Sequence, residues 1–102
     1  MNPDVDRIVS ATADLFGVSA AALRGRSRSK SIMEARLAAY YVARHCTRLS
    51  YPELGRELGR DHSSVLSGVT RMRECSAGDA FLAKALGILI AEFGGERREN
   101  GP

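Results

Sequence analysis

Residues 50–73, SYPELGRELGRDHSSVLSGVTRMR, carry the pattern that decides the fold. Ser50 followed by Glu53 is a capping box, which predicts the start of a short helix that Gly59 ends. Asp61 offers a second N-cap, and apolar residues then recur at helical spacing at Val65, Leu66, Val69 and Met72. Two short helices joined by a tight turn that contains glycine form a helix-turn-helix.

The second helix of such a motif enters the major groove of DNA, with its N-terminal residues against base edges. Here those residues are Asp61, His62, Ser63 and Ser64, all of them polar and of small or medium size. Side chains of this kind suit both base edges and phosphates. The motif therefore predicts a DNA-binding face at the start of the second helix.

The same stretch resembles the DNA-binding domain of the bacterial replication initiator DnaA. RDHSSVL at residues 60–66 is similar to RDHTTVL in that family, and PELGRELG at residues 52–59 is similar to PEIGDAFGG. Weaker similarity continues upstream through Leu23–Arg44, so that the resemblance covers nearly the whole chain. It implies a compact all-α domain with a helix-turn-helix, TrpR/DnaA domain IV-like. It also implies double-stranded DNA as the partner, at an A/T-containing, DnaA-box-like site.

The resemblance further implies roles for individual residues of the motif. His62 and Ser63 are expected to face base edges, with Asp61 beside them. Ser64 and Arg60 are expected to hold phosphates, the serine with help from the helix N-terminus.

The turn of the motif departs from the pattern of the family. Family members usually show two glycines before the arginine, whereas Gly59 stands alone here. Either Gly59 absorbs the shorter turn, or the second helix is rotated slightly. A rotated helix would move the base contacts toward Ser67 and Arg71.

Positive charge is concentrated around the motif. Residues 24–73 hold eleven Lys or Arg against four acidic residues, a local balance of +7, and the rest of the chain has a balance of −4. The two parts together give the net charge of +3. Such asymmetry is the electrostatic footprint of a protein that binds a polyanion.

A run of basic residues, RGRSRSK, follows Leu23. It shows no helical period and is predicted to form a loop. One interpretation is a solvated charge run that only aids solubility. The other is an arm that lies over a minor groove, where arginine is favoured by narrow A·T-rich segments. The resemblance supports the arm, assigns the minor-groove contact to Arg28 and places Lys30 at another basic position of the same loop.

The next helix is predicted to begin at Ser31, which forms a capping box with Glu34, and to run to about Cys46. In the family that the chain resembles, this helix begins near an Arg–Gln pair that binds phosphate. Arg36 matches the arginine and is therefore expected to hold a phosphate. Leu37 stands where the glutamine usually is.

Helical patterns on both sides complete a domain of six helices. The first helix is predicted from Pro3 to about Phe16, a short one over Ala20–Leu23 and the last over Ala80–Phe93, with Phe81 on its apolar face. We expect one domain over residues 1–95 and a disordered polar tail over residues 96–102.

The chain carries no pattern typical of an enzyme, a cofactor site or a metal site. The phosphate loop GxxxxGK[ST] does not occur in it. Its histidines and cysteines lack zinc-site spacing, and both cysteines, Cys46 and Cys75, are expected to be reduced thiols in the core. We therefore expect no catalysis, no cofactor and no bound metal.

The surroundings of the protein are also constrained by the sequence. No apolar run is long enough to span a membrane, and the acidic start MNPDVDRIV lacks the apolar segment of a signal peptide. We therefore expect a cytoplasmic, nucleoid-associated protein without a membrane partner. We expect a monomer, with the consecutive apolar residues 88–90 as the place where a dimer contact is conceivable.

These observations favour sequence-specific binding of double-stranded DNA. The protein would act as a regulator or accessory of replication initiation or transcription, without ATPase activity. Two alternatives stay open: a protein–protein adaptor of the replication machinery, and a DNA-targeting accessory of a mobile element. Salt-sensitive DNA binding would exclude the adaptor as the main role, whereas the sequence does not separate the third possibility from the first.

Overall fold

The computed structural model describes residues 3–94, and the tail predicted over residues 96–102 lies outside them. The described residues form six helices and no strand, which confirms the all-α prediction. The helices are α1 (Pro3–Phe16), α2 (Ala20–Arg24), α3 (Lys30–Cys46), α4 (Tyr51–Leu58), α5 (His62–Ala77) and α6 (Ala80–Phe93).

Helix α3 lies at the centre and contacts each of the other five helices. Small residues on its inner faces, among them Ala35, Ala38, Ala39 and Ala43, are at most 1% exposed. Because these side chains are short, the neighbouring helices can approach the α3 backbone closely. Larger apolar residues of those helices, such as Ile8, Leu54 and Met72, fill the space around them. Full burial of one such side chain contributes about 1.5–3 kcal/mol.

The first and last helices meet at the edge of this core. Phe16 at the end of α1 packs edge-to-face against Phe81 at the start of α6, with ring centroids 6.2 Å apart. Phe81 nevertheless remains 64% exposed, so this residue of the predicted apolar face lies at the edge of the core and not inside it. The inner face of α6 is formed instead by Leu82, Leu86 and Leu89, which follow one another at helical spacing.

The start of α3 differs from the prediction. Ser29, not Ser31, is the N-cap: its backbone is extended and its Oγ accepts a hydrogen bond of 3.4 Å from the amide of Ile32. Ser31 is the second residue of the helix, so the capping box proposed for Ser31 and Glu34 was wrong. Helix α3 therefore begins two residues earlier than the pattern of Ser31 and Glu34 predicts.

Replacing Ser29 with alanine should therefore destabilise the protein by about 1 kcal/mol, because α3 loses its capping oxygen. The matched variant Ser31→Ala should change the free energy of unfolding by less than about 0.5 kcal/mol, since an exposed helical serine is replaced by a better helix former. Urea unfolding followed by circular dichroism measures both values. Equal losses in the two variants would contradict this assignment of the cap.

The two cysteines lie in different environments. Cys46 at the end of α3 is buried, as predicted, but Cys75 on α5 is exposed, so its prediction as a core thiol was wrong. Beyond Met72, the last residue of α5 in the core, the residues 73–77 are exposed or only half-buried. The apolar period of α5 therefore ends one turn before the helix does.

Hydrogen bonds fix both ends of α4, the first helix of the helix-turn-helix. The capping box is confirmed: Ser50 Oγ accepts from the amide of Glu53 at 3.2 Å, and the Glu53 carboxylate accepts from the amide of Ser50 at 2.8 Å. These bonds lower the pKa of Glu53. At the other end, Gly59 adopts a left-handed conformation with φ of 69°, and the amide of Arg60 donates to the carbonyl of Gly55 at 2.8 Å. Such a bond closes a Schellman-type helix end.

Gly55 lets the turn fold back onto α4. A Cβ atom at this position would lie 2.5 Å from the carbonyl oxygen of Arg60 and 3.2 Å from the amide nitrogen of His62. Both are backbone atoms, which cannot move aside by a change of rotamer. The absence of a side chain at Gly55 therefore fixes where α5 begins.

Candidate nucleic-acid interface

An open groove of about 650 Å³ runs between the α2–α3 loop, α3 and α5, and we call it the basic groove. Five arginines line it: Arg26, Arg28, Arg36, Arg60 and Arg71. Three serines line it as well: Ser63, Ser64 and Ser67. Its apolar lining consists of Met33, Leu37, Tyr40 and Gly68. Within the described part of the chain, no acidic side chain belongs to the lining.

Gly68 allows α5 to lie directly on α3 at the base of this groove. A Cβ atom there would be 2.7 Å from Cδ2 of Tyr40 and 2.8 Å from Cδ2 of Leu37. Leu37, which stands where the family usually has glutamine, therefore packs against the backbone of α5. The close approach of α5 to α3 at Gly68 lets the serines of α5 and the arginines of α3 and the loop line the same groove.

Seven of the ten side chains predicted for the DNA-binding site meet in the basic groove. They are Arg28, Arg36, Arg60, Ser63, Ser64, Ser67 and Arg71. Sequence reasoning did not assign a contact to Arg26, although it lies in the same basic run as Arg28, and it missed Gly68. The run RSRS already signalled Arg26, whereas Gly68 is recognised only from its contacts with α3.

The other three predicted side chains are not part of the lining of the groove. Lys30 is the exposed first residue of α3, and His62 is the exposed first residue of α5. Asp61 is exposed and lines an adjoining hollow together with Arg26, Arg60 and Ser64. Eight of the ten predicted residues thus line the basic groove or the adjoining hollow, and Lys30 and His62 line neither.

Asp61 takes the N-cap position of α5, as predicted, but does not cap with its side chain. Its backbone is extended, and in the described part of the chain its carboxylate accepts no capping hydrogen bond from α5. The first amides of α5 are therefore not satisfied by the Asp61 side chain. The exposed carboxylate of Asp61 therefore lies next to the basic groove without a capping bond to α5.

Arg36 has a setting that differs from the expected one. Its side chain is only 8% exposed, and it donates to the carbonyls of Leu23 at 2.8 Å, Ser27 at 2.9 Å and Ala22 at 3.2 Å. Burial is the main cause that lowers the pKa of Arg36, and the positive charge of Arg60 lowers it further. Its Nε and both terminal nitrogens each donate to a backbone carbonyl inside the protein, and the expected phosphate contact of Arg36 stays a prediction.

The basic run after Leu23 is not one uniform loop. Arg24 belongs to α2 and forms a salt bridge of 2.6 Å with Asp6, while its other terminal nitrogen donates to the carbonyl of Glu57 at 3.1 Å. It therefore ties α1, α2 and α4 together. Arg26 and Arg28 are exposed in the following loop, residues 25–29. These two carry the positive charge of the loop into the groove.

Other kinds of site find little support in the structure. Among residues 3–94, no three His, Cys, Asp or Glu side chains come close enough together to hold a metal ion. In the same residues, no helix combines the length and the apolar character needed to cross a bilayer. The five arginines that line the basic groove favour an anion as its ligand.

Comparison with known proteins identifies the family. The family described as bacterial dnaA protein helix-turn-helix matches residues 5–72. Three relatives are each described as a chromosomal replication initiator protein DnaA. The protein of Cutibacterium acnes is 41% identical over 69 residues, which are 67% of this chain and 14% of the relative. That of Caulobacter vibrioides is 35% identical over 92 residues, 89% of this chain and 19% of the relative. That of Treponema denticola is 34% identical over 86 residues, 83% of this chain and 18% of the relative.

The chain spans less than a fifth of the length of these relatives. The matched residues 5–72 include the whole α2–α3 loop, α3, α4 and the part of α5 that lines the basic groove. The similarity therefore covers the elements that build the candidate interface. The chain belongs to the bacterial DnaA helix-turn-helix family of DNA-binding domains.

Proposed function

We propose that this chain binds double-stranded DNA in a sequence-specific manner at DnaA-box-like sites that contain A·T pairs. Helix α5 would enter the major groove through its N-terminal residues, and Arg26 and Arg28 would follow the adjacent minor groove. We propose further that occupancy of such sites, rather than catalysis, is the contribution of this chain to replication initiation or its regulation. A cytoplasmic location at the nucleoid accords with this role.

The observation that carries the proposal is the basic groove itself. Five arginines and three serines line one open surface, and none of the described lining residues is acidic. Arginine suits phosphate because its planar group donates two parallel hydrogen bonds, and hydroxyl groups add neutral donors beside it. The start of α5 adjoins this surface, as expected for a helix whose first residues read base edges.

A salt titration of duplex binding tests the proposal. The logarithm of the binding constant should fall linearly with the logarithm of salt concentration, by about 0.9 for each phosphate contacted. If three to five cations make such contacts, the slope is roughly −3 to −5. Replacing Arg71, which lines the groove, with alanine should flatten the slope by about one unit. The matched variant Arg7→Ala, on the exposed surface of α1, should leave the slope unchanged.

Two outcomes would contradict the proposal. A salt-independent affinity, or no binding at low salt, would exclude DNA as the main partner and favour the protein–protein adaptor. Equal binding to all duplexes in a random pool would show that the protein binds DNA without a preferred site, and would contradict the sequence-specific part of the proposal. Selection from such a pool also supplies the preferred duplex for the experiments below.

Asp61 should restrain binding without stabilising the fold. Replacing it with alanine should strengthen binding to random duplexes by about twofold to fivefold, because a negative charge next to phosphates is removed. The free energy of unfolding should fall by no more than about 0.5 kcal/mol, since only an attraction to the helix dipole is lost. The matched variant is Asp79→Ala, because Asp79 accepts a capping bond of 3.1 Å from Leu82.

Loss of that bond should cost about 1–2 kcal/mol and leave DNA binding unchanged. Fluorescence anisotropy on labelled duplexes and urea unfolding give the two readouts. If Asp61→Ala destabilises the protein as much as Asp79→Ala does, the carboxylate of Asp61 caps α5 after all.

A further inference from the structure

Two arginine side chains hold the loop between α2 and α3 from different sides. Arg36 of α3 donates to the carbonyls of Ala22, Leu23 and Ser27. Arg60 of the helix-turn-helix turn donates to the carbonyls of Arg24, at 3.2 Å, and Gly25. Together the two guanidinium groups bind five carbonyls of the segment 22–27, which leads into the exposed Arg28.

The carbonyls in question need such partners. Helix α2 has only five residues, so most of its carbonyls lie in its last turn and have few partners within the helix. The ammonium group of a lysine is compact and could donate to only one or two of these oxygens. The planar guanidinium group of arginine carries five N–H donors in a rigid arrangement and can donate to several oxygens at once. The geometry therefore explains why arginines occupy these two places, independently of any contact with DNA.

The same bonds connect the loop to the recognition helix. Arg60 directly precedes Asp61, the N-cap of α5, and it binds residues that are 35 and 36 positions away in the sequence. Arg36 of α3 is 8% exposed, whereas Arg26 and Arg28 of the loop are exposed. The loop thus exposes Arg26 and Arg28, while Arg36 and Arg60 bind its backbone carbonyls.

We propose that Arg36 and Arg60 are positioning residues that order the loop before DNA binds, so that Arg28 and Arg26 reach their contacts at a fixed distance from α5. The inference rests on the proposed function. A loop that is already ordered loses less conformational freedom on binding, and it holds its arginines in register with the bases that α5 reads. Sequence selectivity at the step read by the loop then depends on two residues that need not touch the bases.

The first arm of the test uses the free protein. Amide hydrogen exchange is measured for residues 25–30 in the wild type, in Arg36→Met and in Arg60→Met. We expect exchange in this segment to accelerate about tenfold or more in both variants, while amides in the middle of α3 and α5 stay protected. Arg7→Met is the matched control, because it removes the same charge from an exposed site on α1.

The second arm measures selectivity. The base step read by the loop is first identified as the one where Arg28→Ala abolishes the preference for A·T over G·C in a panel of substituted duplexes. At that step Arg36→Met and Arg60→Met should lower the preference about fivefold or more, and they should retain the preferences at the positions read by α5. In the Arg36→Met background, Arg28→Ala should cost little further selectivity.

Three results would overturn the inference. The first is that both variants keep the loop protection and the preference at this step, even if they melt earlier, because the arginines would then only stabilise the fold. The second is that each variant weakens binding to all duplexes by the same factor, because the arginines would then contact phosphates. The third is that Arg36→Lys, which keeps the charge but not the fork, behaves as the wild type does. This lysine variant and Arg60→Met decide the matter if Arg36→Met does not fold.

Failure of the proposed function has a different signature. In that case the wild-type chain itself shows no salt-dependent binding and no preferred duplex. Failure of the inference alone leaves a wild type that binds and discriminates, with variants that discriminate equally well.

Discussion

Replacing Gly55 with alanine should destabilise the protein by about 3 kcal/mol or more. The added methyl group would lie 2.5 Å from the carbonyl oxygen of Arg60, a distance that real Cβ atoms do not show. Overpacking commonly costs about 1–3 kcal/mol, and here the obstacle is backbone that cannot rotate away. For a domain of this size such a loss lowers the melting temperature by about 12–24 °C. Thermal unfolding followed by circular dichroism measures it.

Two other glycines provide the controls. Gly87, exposed on α6, has no atom within 4 Å of a built Cβ, so Gly87→Ala should stabilise the protein by about 0.5–1 kcal/mol. Gly68→Ala should be intermediate, because its nearest neighbours are side-chain atoms of Leu37 and Tyr40, which can shift. A Gly55→Ala variant that melts with the wild type would show that α5 does not begin against α4 as described.

The sequence predicted most of the fold because the signals involved are local. The capping box of Ser50 and Glu53 needs only two residues three positions apart, and the stop at Gly59 needs one glycine after an apolar period. The same reasoning failed at the start of α3, where it chose Ser31, the second residue of the helix, over Ser29, the N-cap. Ser31 has the better local pattern, with Glu34 three residues later. The loop bonds of Arg36, nine to fourteen positions apart in sequence, occur in the tertiary structure and are invisible to such a pattern.

The candidate site could be predicted in part for the same reason. Ser63, Ser64, Ser67 and Arg71 recur at helical spacing, so a helical motif alone places them on one side of α5. Gly55, Gly68 and the buried setting of Arg36 could not be found in this way, since each depends on which element packs against it. A pattern that marks a residue as basic cannot say whether its charge faces DNA or the carbonyls of its own chain.

Replacing His62 with alanine should weaken binding to the preferred duplex by about 1–3 kcal/mol, that is by roughly fivefold to 150-fold. His62 is the exposed first residue of α5, and its imidazole can bond a base edge when that end of the helix enters the major groove. Binding to a scrambled duplex should fall much less, because contacts to phosphates carry most of the non-specific affinity. Fluorescence anisotropy on the two duplexes at one salt concentration measures both effects. Arg71→Ala is the contrasting variant, since loss of a phosphate contact should weaken both complexes nearly equally.

The structure also defines the competing way for α5 to dock. His62 lies outside the lining of the basic groove, whereas Ser67 and Arg71 lie within it, about one and a half and two and a half turns further along the helix. If the short turn at Gly59 tilts α5, these two residues would approach the bases and His62 would stay in solvent. Ser67→Ala would then lose affinity only on the preferred duplex, Arg71→Ala would lose selectivity, and His62→Ala would bind as the wild type does. That pattern would contradict docking through the N-terminal end of α5 while leaving the DNA-binding face itself in place. Equal losses of His62→Ala on both duplexes would instead show that the imidazole contacts a phosphate, because a base contact cannot survive scrambling of the site.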